Sequence, residues 1–295
     1  MPAGGSIFVR AKTDADKPPL LLIHGYPQTH VEWHPIIPAL LPHFSVVLID
    51  LRGYGQSSIV PSTNGSGYSK RLMAEDCIAV MAKLGYSKFS VMGHDRGARV
   101  TYRLAFDHPE VLTKAVVLDI IPTAAMFESF GNTGSALKAY HWLFLAQPAP
   151  FPEDMIKGAD GGRRFVEHSL SAWTKDKNLD AFGAAAMDAY RKAYCDDARI
   201  HSTCEDYRAG AFLDRKYDEE ELRAGRKIKT PLLAVWGATG FLVEGAPAVK
   251  TEGPLETWQK YAENVTGVGL ECGHFIPEED PEGLLEVLLP FLLEN

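Results

Sequence analysis

The sequence predicts an α/β protein: a mostly parallel sheet flanked by helices, with a helical insertion. Three observations carry this. Apolar runs of strand length alternate with amphipathic helical stretches, which favours parallel pairing through right-handed crossovers with helices on both faces. A turn bracketed by glycines, Gly93-His94-Asp95-Arg96-Gly97, separates a strand pattern from a helix pattern. From Pro122 to about Gly210 the strand-length runs vanish, and stretches rich in Ala, Trp and Tyr replace them. The implied organisation is a core of residues 1–121 and 211–295 with a helical cap at 122–210.

In chain order, Ser6 to Arg10 alternates like an edge strand, and Pro19 to Gly25 is the apolar run of a strand buried on both faces. Val31 to Leu41 has the spacing of an amphipathic helix stopped near Pro42, and Phe44 to Asp50 is the next buried strand. Ser69 to Leu84 reads as a helix with Leu72, Cys77, Val80 and Leu84 inward and a stop at Gly85. Phe89 to Met92 is the strand before the glycine turn, the following helix runs to about His108, and Lys114 to Ile120 is another strand. Strands resume at Pro231 to Gly237 and before Cys272, and an amphipathic helix spans Gly283 to Leu293. Few residues precede Ser6, so about seven strands are expected. Parallel sheets hold their ligands at the carboxyl ends of the strands, where His24, Asp50, Asp95 and Asp119 fall.

Composition narrows the partners. At 295 residues a sizeable core is available, and a net charge of −8 argues against nucleic acid or an anionic membrane surface. An anionic substrate would need local arginines to overcome that field. No window has the roughly 18 apolar residues of a membrane span, and the first residues have no apolar signal core, so a cytoplasmic protein is expected. Cys77, Cys195, Cys204 and Cys272 are irregularly spaced, which favours buried thiols over disulfides or a structural zinc site.

Gly93-x-Asp95-x-Gly97 has the form of a nucleophile elbow with aspartate where lipases carry serine. The alternative is an aspartate capping the next helix. In an elbow the tip residue is strained, and side chains at Gly93 and Gly97 would collide with their neighbours. A carboxylate nucleophile needs a base for the second-step water and an acid to orient that base. His274, after the last strand and before the terminal helix, has the position of the base; the other nine histidines default to surface or capping roles. For the acid, the segment after the post-cap strand offers no carboxylate before Glu244, whereas Asp119 ends an otherwise apolar strand where burial demands a partner. The backbone amides of Tyr26 and Arg96 are positioned as oxyanion donors.

Together, His24-Gly25-Tyr26-Pro27-Gln28-Thr29, Asp50-Leu51-Arg52-Gly53-Tyr54-Gly55 and Gly93-His94-Asp95-Arg96-Gly97-Ala98-Arg99 resemble the fluoroacetate (haloacetate) dehalogenases of the α/β-hydrolase superfamily. The similarity continues through Leu118 to Thr123, Tyr140-His141-Trp142, Asp206-Tyr207-Arg208-Ala209 and Cys272-Gly273-His274. It implies an α/β-hydrolase fold with an inserted cap and hydrolysis of a haloacetate to glycolate and halide through an ester on Asp95. Arg96 and Arg99 would hold the substrate carboxylate, and His141, Trp142 and Tyr207 the departing halide. No cofactor and no metal are implied, and the resemblance suggests a homodimer. The stretch from Gly158 to Asp180, with Trp173, matches nothing recognisable.

Two neighbouring chemistries stay open: a dehalogenase that prefers chloro- or bromoacetate, and an epoxide hydrolase using tyrosines among Tyr140, Tyr190, Tyr194 and Tyr207 as acids. A non-catalytic receptor retaining the fold is the third alternative.

Overall fold

The computed structural model describes residues 5–240 and 253–294. Glu244, the first carboxylate after the post-cap strand, lies outside the described residues. Among those described, seven strands form one sheet: β1 (Val9–Lys12), β2 (Pro19–Ile23), β3 (Ser45–Ile49), β4 (Phe89–His94), β5 (Leu112–Leu118), β6 (Leu232–Gly237) and β7 (Val265–Leu270), in the order β1-β3-β2-β4-β5-β6-β7. Only β1 is antiparallel, pairing Val9 with Ile49 at the edge. The other pairs are parallel.

Period-two alternation along each strand builds two cores. Leu21, Ile23, Val47, Ile49, Val91 and Val117 face one layer, and Leu20, Leu22, Val46, Leu48, Met92 and Val116 face the other. Helices Lys70–Lys83, Arg96–Asp107 and Pro254–Tyr261 cover the first face through Met73, Cys77, Val100, Leu104 and Trp258. Trp33, Leu40 and the terminal helix Pro281–Leu293, through Leu284 and Leu288, cover the second.

Two local expectations need correction. Val31 to Leu41 is not one helix but a 3-10 turn, His30–Trp33, and a short helix, Ile37–Leu40. Pro35 and Pro38 lack the amide hydrogens a continuous helix would use. Helix Lys70–Lys83 buries Met73, Ala74, Cys77 and Met81; of the predicted inward residues only Cys77 is fully buried, and Leu84 is exposed. Its inner face also carries Asp76, paired with Arg52, and Lys70, so apolar spacing alone misplaces it.

After β2 the chain adds β3 on one side and then crosses to place β4 on the other, so the strand order reverses between β2 and β4. Loops leaving the carboxyl ends of such neighbours diverge and open a crevice. Asp95 and the Gly25-Tyr26 turn lie there. Between β5 and β6 every described element is helical, from Thr123 to Arg223. The helix Asp197–Ala209 passes through a π turn, Gly210–Asp214, directly into Arg215–Arg223, so a boundary at residue 210 falls inside one helical run.

Candidate active site

Asp95 leaves β4 with φ 42° and ψ −111°, a strained conformation for a non-glycine residue. A Cβ on Gly93 would come within 2.4 Å of the Gly97 backbone, and one on Gly97 within 2.0 Å of the Ile23 carbonyl. The Asp95 side chain caps no helix amide; its Oδ2 instead accepts the Tyr26 N–H at 3.1 Å. Burial opposes its charge, yet His274, Arg96, Arg99 and His94 together hold its pKa below the usual carboxylate value. It is therefore ionised at neutral pH.

His274 Nδ1 lies 2.5 Å from Asp119 Oδ2, and Asp119 Oδ1 accepts the Gly237 amide at 2.9 Å. Asp119 thus has both a histidine and a strand-end amide, at φ 50°. Against an ionised carboxylate, which only accepts, this contact selects the Nδ1–H tautomer of a neutral imidazole. The His274 amide donates to the Trp173 carbonyl at 2.9 Å, and a Cβ on the preceding Gly273 would collide with that carbonyl.

Arg96 and Arg99 are fully buried rather than solvated on a helix face. Arg96 donates Nε to Asp206 Oδ2 at 3.0 Å and Nη2 to Asp206 Oδ1 at 2.8 Å, and Nη1 has no partner. Arg99 donates Nη1 to the Ile121 carbonyl at 3.0 Å and to Thr123 Oγ1 at 3.1 Å, while Nε and Nη2 have no partner. Burial and the charge of Arg96 press its pKa below the ordinary arginine value. Lys70, itself buried, completes the group through Asp206 and lies 3.8 Å from Asp214.

His141, Trp142 and Tyr207 are buried together. Tyr207 is edge-on to His141 and to Trp142, each at 5.8 Å between ring centres, and Arg96 and Arg99 lie over Tyr207 and Trp142 at 4.2 and 4.3 Å. His141 Nδ1 and the Tyr207 hydroxyl have no partner. Burial pushes the His141 pKa down to about 3 and the Tyr207 pKa well up, so both stay neutral donors. Trp173 closes this wall: its ring is 4.3 Å from His141, 5.9 Å from Tyr26 and 5.7 Å from His274. Sequence reasoning could not place it, because nothing in its own segment announces that it meets Gly273 in space.

Three further histidines depart from the surface role expected of them. His24 and His30 are buried around Asp50, and His94 is buried between Glu32 and the His274 carbonyl. Among the cysteines, Cys195 is exposed, and Cys77, Cys204 and Cys272 are buried as expected. Among the described residues no group of three or more His, Cys, Asp or Glu is arranged to hold a metal ion, and no helix is long and apolar enough to cross a membrane. A cavity of about 650 Å³ lined by His30, Asp50, Gln56, Lys192 and Arg199 does not include Asp95 among its lining residues.

A buried carboxylate at a strained strand-to-helix turn and a hydrogen-bonded Asp119–His274 pair, from the ends of β5 and β7, thus lie at the carboxyl edge of a doubly covered, mostly parallel sheet. The chain belongs to the α/β hydrolase family, whose model matches residues 18–281. It is 38% identical over 290 residues to a fluoroacetate dehalogenase from Burkholderia sp, covering 98% of this chain and 91% of that protein. It is 32% identical over 274 residues to a soluble epoxide hydrolase from Corynebacterium sp. (strain C12), covering 92% and 89%. A solved structure from Pseudomonas aeruginosa, named as an epoxide hydrolase mutant with bound MFA, superposes with a TM-score of 0.89 at 41% identity, covering 98% of this chain and 92% of that one.

Proposed function

We propose that this hydrolase is a haloacetate dehalogenase that converts fluoroacetate and water to glycolate, fluoride and a proton. The observation that carries this is a set of buried polar atoms without partners: Arg96 Nη1, Arg99 Nε and Nη2, His141 Nδ1 and the Tyr207 hydroxyl. Buried polar atoms left unpaired cost about 1–3 kcal/mol each, more when charged, so their clustering on the residues around Asp95 supports a polar ligand there. Nε and Nη2 of Arg99 form one edge of the guanidinium, the fork that matches a carboxylate. Arg96 is paired with Asp206, and Lys70 with Asp206 and Asp214, whereas the hydrogen-bond partners of Arg99 are neutral, so an anionic substrate would supply the charge partner that Arg99 lacks.

With the carboxylate on Arg99 and Arg96 Nη1, Asp95 attacks the α-carbon and the carbon–halogen bond breaks. The halide leaves toward His141, Trp142 and Tyr207, the first and last being neutral donors. Water deprotonated by His274, with Asp119 stabilising the imidazolium, then attacks the Asp95 carbonyl carbon. The developing oxyanion is received by the Tyr26 amide, already 3.1 Å from Asp95 Oδ2, and by the Arg96 amide. Collapse, with the His274 imidazolium returning its proton to the leaving oxygen, releases glycolate, and loss of the remaining carboxyl proton to solvent restores the Asp95 carboxylate. The 38% identity to a fluoroacetate dehalogenase supports this choice of substrate.

An epoxide would be neutral and would leave the Arg96 and Arg99 donors unpaired. Of the four tyrosines considered as epoxide acids, Tyr190 donates to Glu278 and Tyr194 to Tyr26, and Tyr140 is the most exposed, which leaves Tyr207 with an unengaged buried hydroxyl. We extend the proposal to a cap of residues 122–210 over a core of 1–121 and 211–295, supported by the change of sequence pattern, to a cytoplasmic location, and, on the strength of the dehalogenase resemblance, to a homodimer. Halide release from fluoroacetate and chloroacetate, measured by ion-selective electrode alongside turnover of a styrene-type epoxide, tests the substrate. Chloride without fluoride would reassign it to chloro- or bromoacetate, and diol formation without halide would make it an epoxide hydrolase.

A further inference from the structure

We propose that His94 is a fixed imidazolium that ties the loop of the base, His274, to the turn of the oxyanion donor, Tyr26, and so positions both for ester hydrolysis. The proposal rests on the roles given above to Asp95, Tyr26 and His274.

His94 ends β4 immediately before the nucleophile and is wholly buried. Its Nε2 lies 2.9 Å from the backbone oxygen of His274, and its Nδ1 lies 3.2 Å from Glu32 Oε2. A peptide oxygen only accepts, and so does an ionised carboxylate; a ring between them satisfies both contacts only when both nitrogens carry hydrogen. Glu32 Oε2 also accepts the Gly25 amide at 3.2 Å. Gly25 is the residue before Tyr26, whose amide meets Asp95. One buried ion pair therefore joins the His274 backbone, through His94 and Glu32, to the peptide that presents the oxyanion donor. These contacts join β4, the loop after β2, the His30–Trp33 turn and the loop after β7.

The surroundings agree with a charged ring. Burial disfavours the cation, but Glu32, Asp95 and Asp119 outweigh it and raise the His94 pKa to about 9. The remaining groups packed against it are the His274 ring at 4.7 Å, the Phe275 ring at 6.0 Å, and Glu278 on the helix Ile276–Glu279. Burial and the charge of Glu32 push Glu278 well above the usual carboxylate range, so it does not compete as a second anion.

A merely space-filling residue would be indifferent to charge, which gives the test. Ring 15N–1H spectra of the wild-type protein near neutral pH, with His94 assigned through His94→Gln, should find both His94 nitrogens protonated. In Glu32→Gln, single-turnover halide release from chloroacetate should stay within about twofold, while hydrolysis of the ester slows on the order of tenfold to a hundredfold. That loss should deepen above neutral pH, because without the Glu32 charge His94 gives up its proton earlier. A His94 ring with one unprotonated nitrogen near neutral pH overturns the proposal. So does a Glu32→Gln enzyme whose ester hydrolysis follows the wild-type pH profile. Absence of any halide release from the wild type would instead strike the haloacetate assignment, and the ring spectrum, which needs no substrate, would still decide the charge of His94.

Discussion

Arg96 on the nucleophile's turn and Asp206 on the helix Asp197–Ala209 form a two-armed buried ion pair, Nε to Oδ2 at 3.0 Å and Nη2 to Oδ1 at 2.8 Å. Burial would raise the Asp206 pKa, but Arg96 and Lys70 overcome it and hold it far below the usual range. The pair pins Arg96 with only Nη1 left for a ligand. Replacing one partner leaves the other buried and uncompensated, so Asp206→Asn should lose about 3–5 kcal/mol of stability, read as a lower urea midpoint, and raise KM. An unchanged midpoint would mean the pair contributes nothing to the folded state.

Arg99 carries the opposite expectation for stability. It is a buried cation whose recorded partners, Ile121 and Thr123, are neutral. Arg99→Met should lose on the order of a hundredfold or more in kcat/KM, from two charge-assisted hydrogen bonds of about 1.5–3 kcal/mol each, yet melt at the same or a higher temperature. A lower melting temperature with retained kcat/KM would remove Arg99 from the carboxylate clamp.

His274→Asn should complete the first half-reaction and stop. Mass spectrometry after exposure to haloacetate should find the glycolyl mass added to the peptide containing Asp95, because the base is missing while the nucleophile is intact. No added mass together with normal turnover would exclude His274 as the base.

His94 makes stability depend on pH. Its folded pKa is about 9 against an ordinary 6.5, so its contribution is complete below pH 6.5 and is lost as pH rises through about 9. The shift corresponds to a contribution on the order of 3 kcal/mol. Relative to His94→Gln, wild-type stability measured by urea unfolding should therefore fall between about pH 7 and 9, and a constant difference would contradict the charged ring.

The elbow, the sheet and the meeting of Asp119 with His274 are legible in the sequence because their signals are local. Gly93 and Gly97 bracket a tip residue whose strain only a short sequence window is needed to suspect, and buried parallel strands announce themselves as uninterrupted apolar runs. Asp119 could be chosen over Glu244 because an aspartate at the end of such a run must find a partner, and His274 is that partner. What stayed hidden depends on contacts between distant segments. Trp173 reaches the site only because its carbonyl meets the His274 amide, and Glu32 matters only because β4 brings His94 beside it. The inward face of Lys70–Lys83 departs from its apolar spacing for the same reason: its buried Lys70 answers Asp206, over a hundred residues away.

Fluoride release from fluoroacetate, by the wild-type enzyme and by Asp95→Asn, bears most directly on the proposed chemistry. Asp95 as nucleophile, with the halide received by His141, Trp142 and Tyr207, predicts stoichiometric fluoride and glycolate from the wild type and none from the variant. Fluoride release that survives in a folded Asp95→Asn protein, with no reversion of the amide to aspartate by mass spectrometry, would contradict the nucleophile assignment outright.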